Sequence, residues 1–118
     1  MSKILVVDDA AFVRMQYKKS LVDRGYGVIE ASNGNEALEK YKDIQPDGVL
    51  LDINMPDKDG IDTLQEIISI DPKARVAMVT CVGSQSVILT ALQSGAKGFI
   101  IKPTKKDVLI DLVEKLLA

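Results

Sequence analysis

Ile4-Leu5-Val6-Val7-Asp8-Asp9 and Val49-Leu50-Leu51-Asp52 share one design: a continuous apolar run that ends on a carboxylate. A run with no polar alternation fits a strand covered on both faces, and such strands belong to parallel sheets. Val28-Ile29, Val76-Ala77-Met78-Val79 and Phe99-Ile100-Ile101 repeat the pattern. Between the runs lie amphipathic stripes at helical spacing: Val13, Tyr17 and Leu21; Ala37, Leu38 and Tyr41; Ile61, Leu64 and Ile68; Val87, Ala91 and Leu92; Leu109, Leu112, Val113 and Leu116. Strand and helix alternate roughly five times, which predicts an α/β fold with a parallel sheet between two helical layers. No linker, repeat or low-complexity segment interrupts the pattern, so residues 1–118 are read as one domain.

Local signals place the helix ends. Asn33-Gly34-Asn35-Glu36 has the form of a capping box, and Thr104-Lys105-Lys106-Asp107 that of a weaker one. Gly25 and Gly95 stand where helices should stop, and Gln45-Pro46 and Asp71-Pro72 punctuate two further exits.

Composition removes several function classes. There are 15 basic and 17 acidic residues, a net charge of −2 and a pI of about 5.1, which argues against a nucleic-acid binder. The lone Cys81 allows no internal disulfide and fits a reducing, cytoplasmic setting. It is read as a small buried hydrophobe beside a strand. The apolar run after Lys3 is too short for a secretory signal, and no run approaches the ~20 residues that span a membrane. Histidine is absent, which excludes histidine acid–base chemistry, Ser-His-Asp triads and histidine metal sites within this chain.

The informative residues follow the apolar runs. The first run ends in Asp8-Asp9, the third in Asp52, the fourth in Thr80 and the fifth in Lys102-Pro103. Ligands of open parallel sheets bind beyond the carboxyl ends of the strands. Any one of these aspartates alone is adequately explained as a cap or turn residue. Together they deliver three carboxylates, a hydroxyl and an ammonium to one edge. Three clustered carboxylates repel unless a cation intervenes. Lys102 supplies one charge, and a hard, oxygen-liganded ion such as Mg²⁺ suits the remainder. A carboxylate beside such cations can act as a nucleophile toward phosphorus, a reaction that needs positioning and charge neutralisation more than a general base.

Val6-Val7-Asp8-Asp9, Leu51-Asp52-Ile53-Asn54-Met55-Pro56, Asp59-Gly60, Val79-Thr80 and Ile101-Lys102-Pro103 resemble the signature blocks of response-regulator receiver domains. The resemblance spans essentially the whole chain, and within the family it is most similar to the stand-alone chemotaxis regulators. It implies a flavodoxin-like, doubly wound (βα)5 fold with strand order 2-1-3-4-5. It implies that Asp52 is the phosphoacceptor, with self-catalysed phosphotransfer and autodephosphorylation rather than conventional enzyme turnover. Asp9, Asp52 and the backbone carbonyl of Asn54 would ligate Mg²⁺, and Asp8 would hold the metal's waters. Lys102 and Thr80 would each contact a phosphoryl oxygen, and Phe99 would be the switch aromatic. A histidine kinase would be the donor. A flagellar motor switch protein or another output protein would dock on the face of the fourth helix, fifth strand and fifth helix, and a phosphatase would reset a monomeric switch. Lys102-Pro103 is expected to be cis, so that Lys102 turns back to the site. Burial of Phe99 on switching would contribute about 1.5–3 kcal/mol.

Three departures from the family's usual pattern stand out: Cys81 after Thr80, where Ala or Gly is common; Phe99 in place of tyrosine; and Thr104 after Lys102-Pro103, where Phe is common. A stand-alone phosphorelay or sporulation-type receiver would share the same blocks. A Mg²⁺-dependent aspartyl-phosphate phosphatase would carry a second Asp two residues past its nucleophile, where this chain has Asn54. A flavodoxin-like cofactor carrier would place Ser, Thr and Gly after the first strand, where this chain has two aspartates. Asp57, Asp59, Gly60 and Glu66 match part of a calcium loop, but Met55 occupies its first ligand position.

Overall fold

A computed structural model describes residues 1–55, 58–81 and 85–118. Pro56 of the third-strand block and Asp57 of the partial calcium loop lie outside the described residues. The elements alternate as read: β1 (Lys3–Val7), α1 (Ala11–Asp23), β2 (Gly27–Ala31), α2 (Gly34–Ile44), β3 (Gly48–Asp52), α3 (Gly60–Ile70), β4 (Val76–Thr80), α4 (Gln85–Gln93), β5 (Gly98–Ile101) and α5 (Lys106–Leu117). All strand pairings are parallel, and the order is β2-β1-β3-β4-β5. This is the flavodoxin-like (βα)5 fold.

Side chains alternate across the sheet, so each apolar run feeds two cores. Leu5, Val7, Val49, Leu51, Val76 and Met78 face one way, and Leu64 and Ile67 of α3 pack on that side with Ala37 and Tyr41 of α2. Ile4, Val6, Leu50, Ala77, Val79 and Ile100 face the other way, against Tyr17 and Leu21 of α1 and Leu109, Ile110, Val113 and Leu116 of α5. The expectation of two covered faces holds for β3 and β4 and fails for β5. There Ile100 is buried, whereas Phe99 and Ile101 are exposed, because β5 is an edge strand.

The topology fixes the site. From β1 the chain turns outward to β2 and then crosses back to β3 on β1's other side. Ligands bind at such a reversal. Val7 pairs with Leu51, so Asp8 and Asp52, the next residues along, leave the sheet side by side.

The helix ends follow their chemistry in most places. Asn33 Oδ1 accepts the Glu36 N–H at 2.9 Å, and Glu36 Oε1 accepts the Ser32 N–H at 3.2 Å, so the box closes one residue early. Gly25 and Gly95 adopt φ of +88° and +112°, the left-handed region that favours glycine after a helix. The Thr104 box does not form. Lys105 is the N-cap of α5 and makes no side-chain cap bond, while the Thr104 hydroxyl turns back to the Ile101 carbonyl and to Tyr17.

The two caps should therefore respond differently to alanine. Asn33→Ala is expected to cost about 1 kcal/mol. Thr104→Ala should stay within about 0.5 kcal/mol. Urea midpoints of the two variants, taken with unchanged m-values, measure both.

Candidate functional site

Four strand ends converge. Asp8 and Asp9 follow β1, Asp52 closes β3, Thr80 closes β4 and Lys102 follows β5. One carboxylate oxygen from each of Asp8, Asp9 and Asp52 lies within 4.8 Å of the other two. Asp8 and Asp52 are only 2% and 3% exposed, whereas Asp9 is exposed. Lys102 Nζ reaches Asp8 Oδ2 at 2.6 Å and Asp52 Oδ2 at 3.5 Å. The backbone holds the carboxylates in place. Asp8 Oδ1 accepts the Ala10 N–H at 2.9 Å, and Asp52 Oδ1 accepts the Asn54 N–H at 3.2 Å. The Lys102 N–H donates to the Thr80 carbonyl at 2.7 Å, which ties the chain after β5 to the end of β4. Lys102-Pro103 is cis, as expected.

The electrostatics are those of an under-neutralised cluster. Burial pushes the Asp52 carboxyl above the usual carboxylate range, and the Asp8 charge adds to this, while Lys102 and the Asn54 N–H pull the other way. Burial draws the Lys102 ammonium down, but its contacts with Asp8 and Asp52 outweigh that and hold it above the usual lysine range. Lys102 therefore stays charged at neutral pH. One ammonium faces three carboxylates whose donors are hard oxygens converging from two adjacent strand ends. That donor set fits Mg²⁺.

Thr80 is buried, and its hydroxyl accepts from the Asn54 carboxamide at 3.4 Å. In-register pairing of Thr80 with Ile101 and of Met78 with Phe99 puts all four side chains on one face of the sheet. Cys81 is exposed, contrary to the sequence reading. It stands one residue beyond β4, where sheet alternation no longer directs a side chain inward, and its sulfur accepts from Asn54 Nδ2 at 3.6 Å.

Two supporting roles escaped the sequence reading. Arg14 of α1 donates to the Asp8 carbonyl at 2.6 Å and pairs with Glu30 of β2 at 3.2 Å, bracing the turn that carries the acidic pair. Nothing in the sequence separates Arg14 from a solvated arginine. Gly60 reads as turn chemistry behind the Asp59 cap, and Asp59 does accept the Ile61 N–H at 2.8 Å. Gly60 also presses on the site: a Cβ there would lie 2.2 Å from the Asp52 carbonyl oxygen and 2.7 Å from Ile53 Cα. Glycine is required because any side chain would displace the backbone that carries Asp52.

The family model of the response regulator receiver domain matches residues 4–114. The chain belongs to this family. It is 49% identical to the chemotaxis protein CheY of Bacillus subtilis over 98% of its own length and 97% of that protein's. It is 44% identical to CheY of Thermotoga maritima, with 97% and 96% covered. Among solved structures, the Borrelia burgdorferi CheX–CheY complex with BeF3 and Mg²⁺ superposes with a TM-score of 0.95 at 35% identity, covering 99% of this chain and 90% of that one. As a receiver, the chain is a two-component, phosphorylation-activated switch most like the CheY type. Receiver domains bind Mg²⁺ at an acidic pocket, and here Asp8, Asp9 and Asp52 form such a group.

The raised Asp52 carboxyl sets a pH dependence. The folded state holds this proton more tightly than the unfolded chain does, so the site's contribution to stability is greatest below the unfolded value and is lost as pH rises through the folded one. Asp52→Asn, which removes the charge, should melt higher than the parent at pH 7. Its advantage should shrink as pH falls toward the ordinary carboxylate value of 3.8. Thermal scans without divalent ions across that range check the sign.

Proposed function

We propose that Asp52 accepts a phosphoryl group from a histidine kinase and that the chain, as one receiver unit over residues 1–118, relays this state in chemotaxis to a flagellar motor switch protein. The reading is carried by one observation: a buried Asp52 carboxylate shares Lys102 with Asp8 at the strand reversal, beside the exposed Asp9. Mg²⁺ would be held by Asp9, Asp52 and the Asn54 carbonyl, with Asp8 on its waters; when bound it supplies positive charge for the incoming phosphoryl oxygens. An Asp52 oxygen forms the new bond to phosphorus as the nitrogen–phosphorus bond of the donor phosphohistidine breaks. The Lys102 ammonium follows the charge from carboxylate to phosphoryl oxygen. Burial of Asp52 limits water at the acyl phosphate.

The output face is built from Leu89 and Leu92 of α4, Phe99 and Ile101 of β5 and Val108 of α5, all exposed. Exposed apolar side chains on these three elements support the reading of this face as a docking surface. The CheY relatives point to chemotaxis, and a cytoplasmic, monomeric switch reset by a phosphatase completes the reading. Among the described residues no helix is long and apolar enough to cross a membrane.

Two expected outcomes test this. Acetyl phosphate with Mg²⁺ should give one labile acyl phosphate by mass spectrometry, lost in Asp52→Asn; an intact modification in that variant would remove the assignment. Mg²⁺ alone, at ten times its Kd, should stabilise the protein by about 1.4 kcal/mol by mass action, a shift of several degrees in Tm for a domain of this size. Asp9→Ala should melt at the same temperature with or without the ion.

A further inference from the structure

The Asn54 side chain sits where acceptor and sensor meet. Its backbone N–H is bonded to Asp52 Oδ1 at 3.2 Å, so the residue is tied to the acceptor. Its carboxamide leaves the β3–α3 connection and reaches the end of β4, donating to the Thr80 hydroxyl at 3.4 Å and to the Cys81 sulfur at 3.6 Å. A carboxamide carries two N–H donors, so it can hold both neighbours at once. The contact opens on a cavity of about 480 Å³ whose walls include Ile53, Asn54, Thr80, Val87 and Thr90. The end of β4 therefore borders this cavity on the α4 side, and among the described side chains the Asn54 amide bridges it to the acceptor loop.

We propose that the Asn54 side chain is a positioning residue that restrains Thr80 in the unphosphorylated protein. The inference rests on the reading of Asp52 as phosphoacceptor and Thr80 as its sensor. A hydroxyl that turns toward a phosphoryl group on Asp52 must leave the amide that now holds it. At 3.4 Å that bond is already near its limit, so a small displacement breaks it. Cys81 retains the amide on the other side, so Asn54 stays behind when Thr80 moves. The restraint sets how rarely the switched conformation is visited without phosphate, and the Cys81 thiol, where the family commonly has Ala or Gly, is what anchors it.

The test is a double-mutant cycle on the unphosphorylated protein, read by NMR relaxation dispersion at the Phe99 and Ile101 amides. The switched endpoint is defined by wild type saturated with beryllofluoride and Mg²⁺. Asn54→Ala should raise the switched population about two- to fivefold, the scale of one modest hydrogen bond. Asn54→Leu, of similar volume but without an N–H, should do the same. Cys81→Ala should give a smaller rise. In a Thr80→Val background, which keeps shape and removes the hydroxyl, Asn54→Ala should change nothing further. Unchanged or lowered populations in both Asn54 variants overturn the restraint. So does an equal effect of Asn54→Ala in both backgrounds, because the amide then acts by another route. A wild type that shows no beryllofluoride shift overturns the phosphoacceptor reading and the restraint with it.

Discussion

Asp8 and Asp52 are buried next to each other, and one ammonium stands between them. Burial of like charges is costly, and the protein tolerates it because every other part of the arrangement is fixed. The backbone of Asp8 is held by Arg14 and by its bond to the Ala31 carbonyl, and its side chain by the Ala10 N–H. The Asp52 backbone lies against Gly60, and its side chain accepts the Asn54 N–H. Lys102 is tied to Thr80 through the backbone. Relaxing any of these would let the carboxylates separate into water. Held together, they leave a negative pocket whose remaining charge is best met by a divalent cation. The repulsion within the cluster would thus be the source of its affinity for such an ion.

The two apolar cores provide the rigidity that this tension requires. β1 and β3 are central strands, paired on both sides, and side chains from both sheet faces fill separate layers. A close-packed interior does not deform gradually, so strain at the strand ends is not absorbed by the sheet. It is passed to the elements that can move: the connections that follow the strands and the edge strand β5.

The strands and the residues at their ends were legible because both are local. An apolar run announces a buried strand, and the polar residue after it marks where the sheet stops. The Asn33 cap and the helix-ending glycines were legible for the same reason. Contacts made across the fold were not. The roles of Gly60 and Arg14 depend on the approach of α3 to β3 and of α1 to the turn after β1, which periodicity does not encode. Phe99-Ile100-Ile101 looks like a central strand because apolar runs do not reveal which strand lies at an edge. Thr104 has a capping residue's chemistry, but the turn after Lys102-Pro103 presents its hydroxyl to Ile101 and Tyr17 instead of to α5.

The position of Phe99 changes the energetics of the proposed switch. Full burial of a Phe side chain contributes about 1.5–3 kcal/mol, enough to move a two-state equilibrium by about one to two powers of ten. Phe99 is only 39% exposed to begin with, so most of that gain is already present in the unphosphorylated fold. The remainder is about 0.6–1.2 kcal/mol, or a shift of about three- to eightfold. Packing of Phe99 therefore cannot drive the transition alone. The larger share would fall to the proposed bond between Thr80 and the phosphoryl group, since hydrogen bonds to charged groups contribute about 1.5–3 kcal/mol. In the proposed switch Phe99 would then report Thr80's position, on the sheet face that both side chains share, and the chemistry at Asp52 would supply the force.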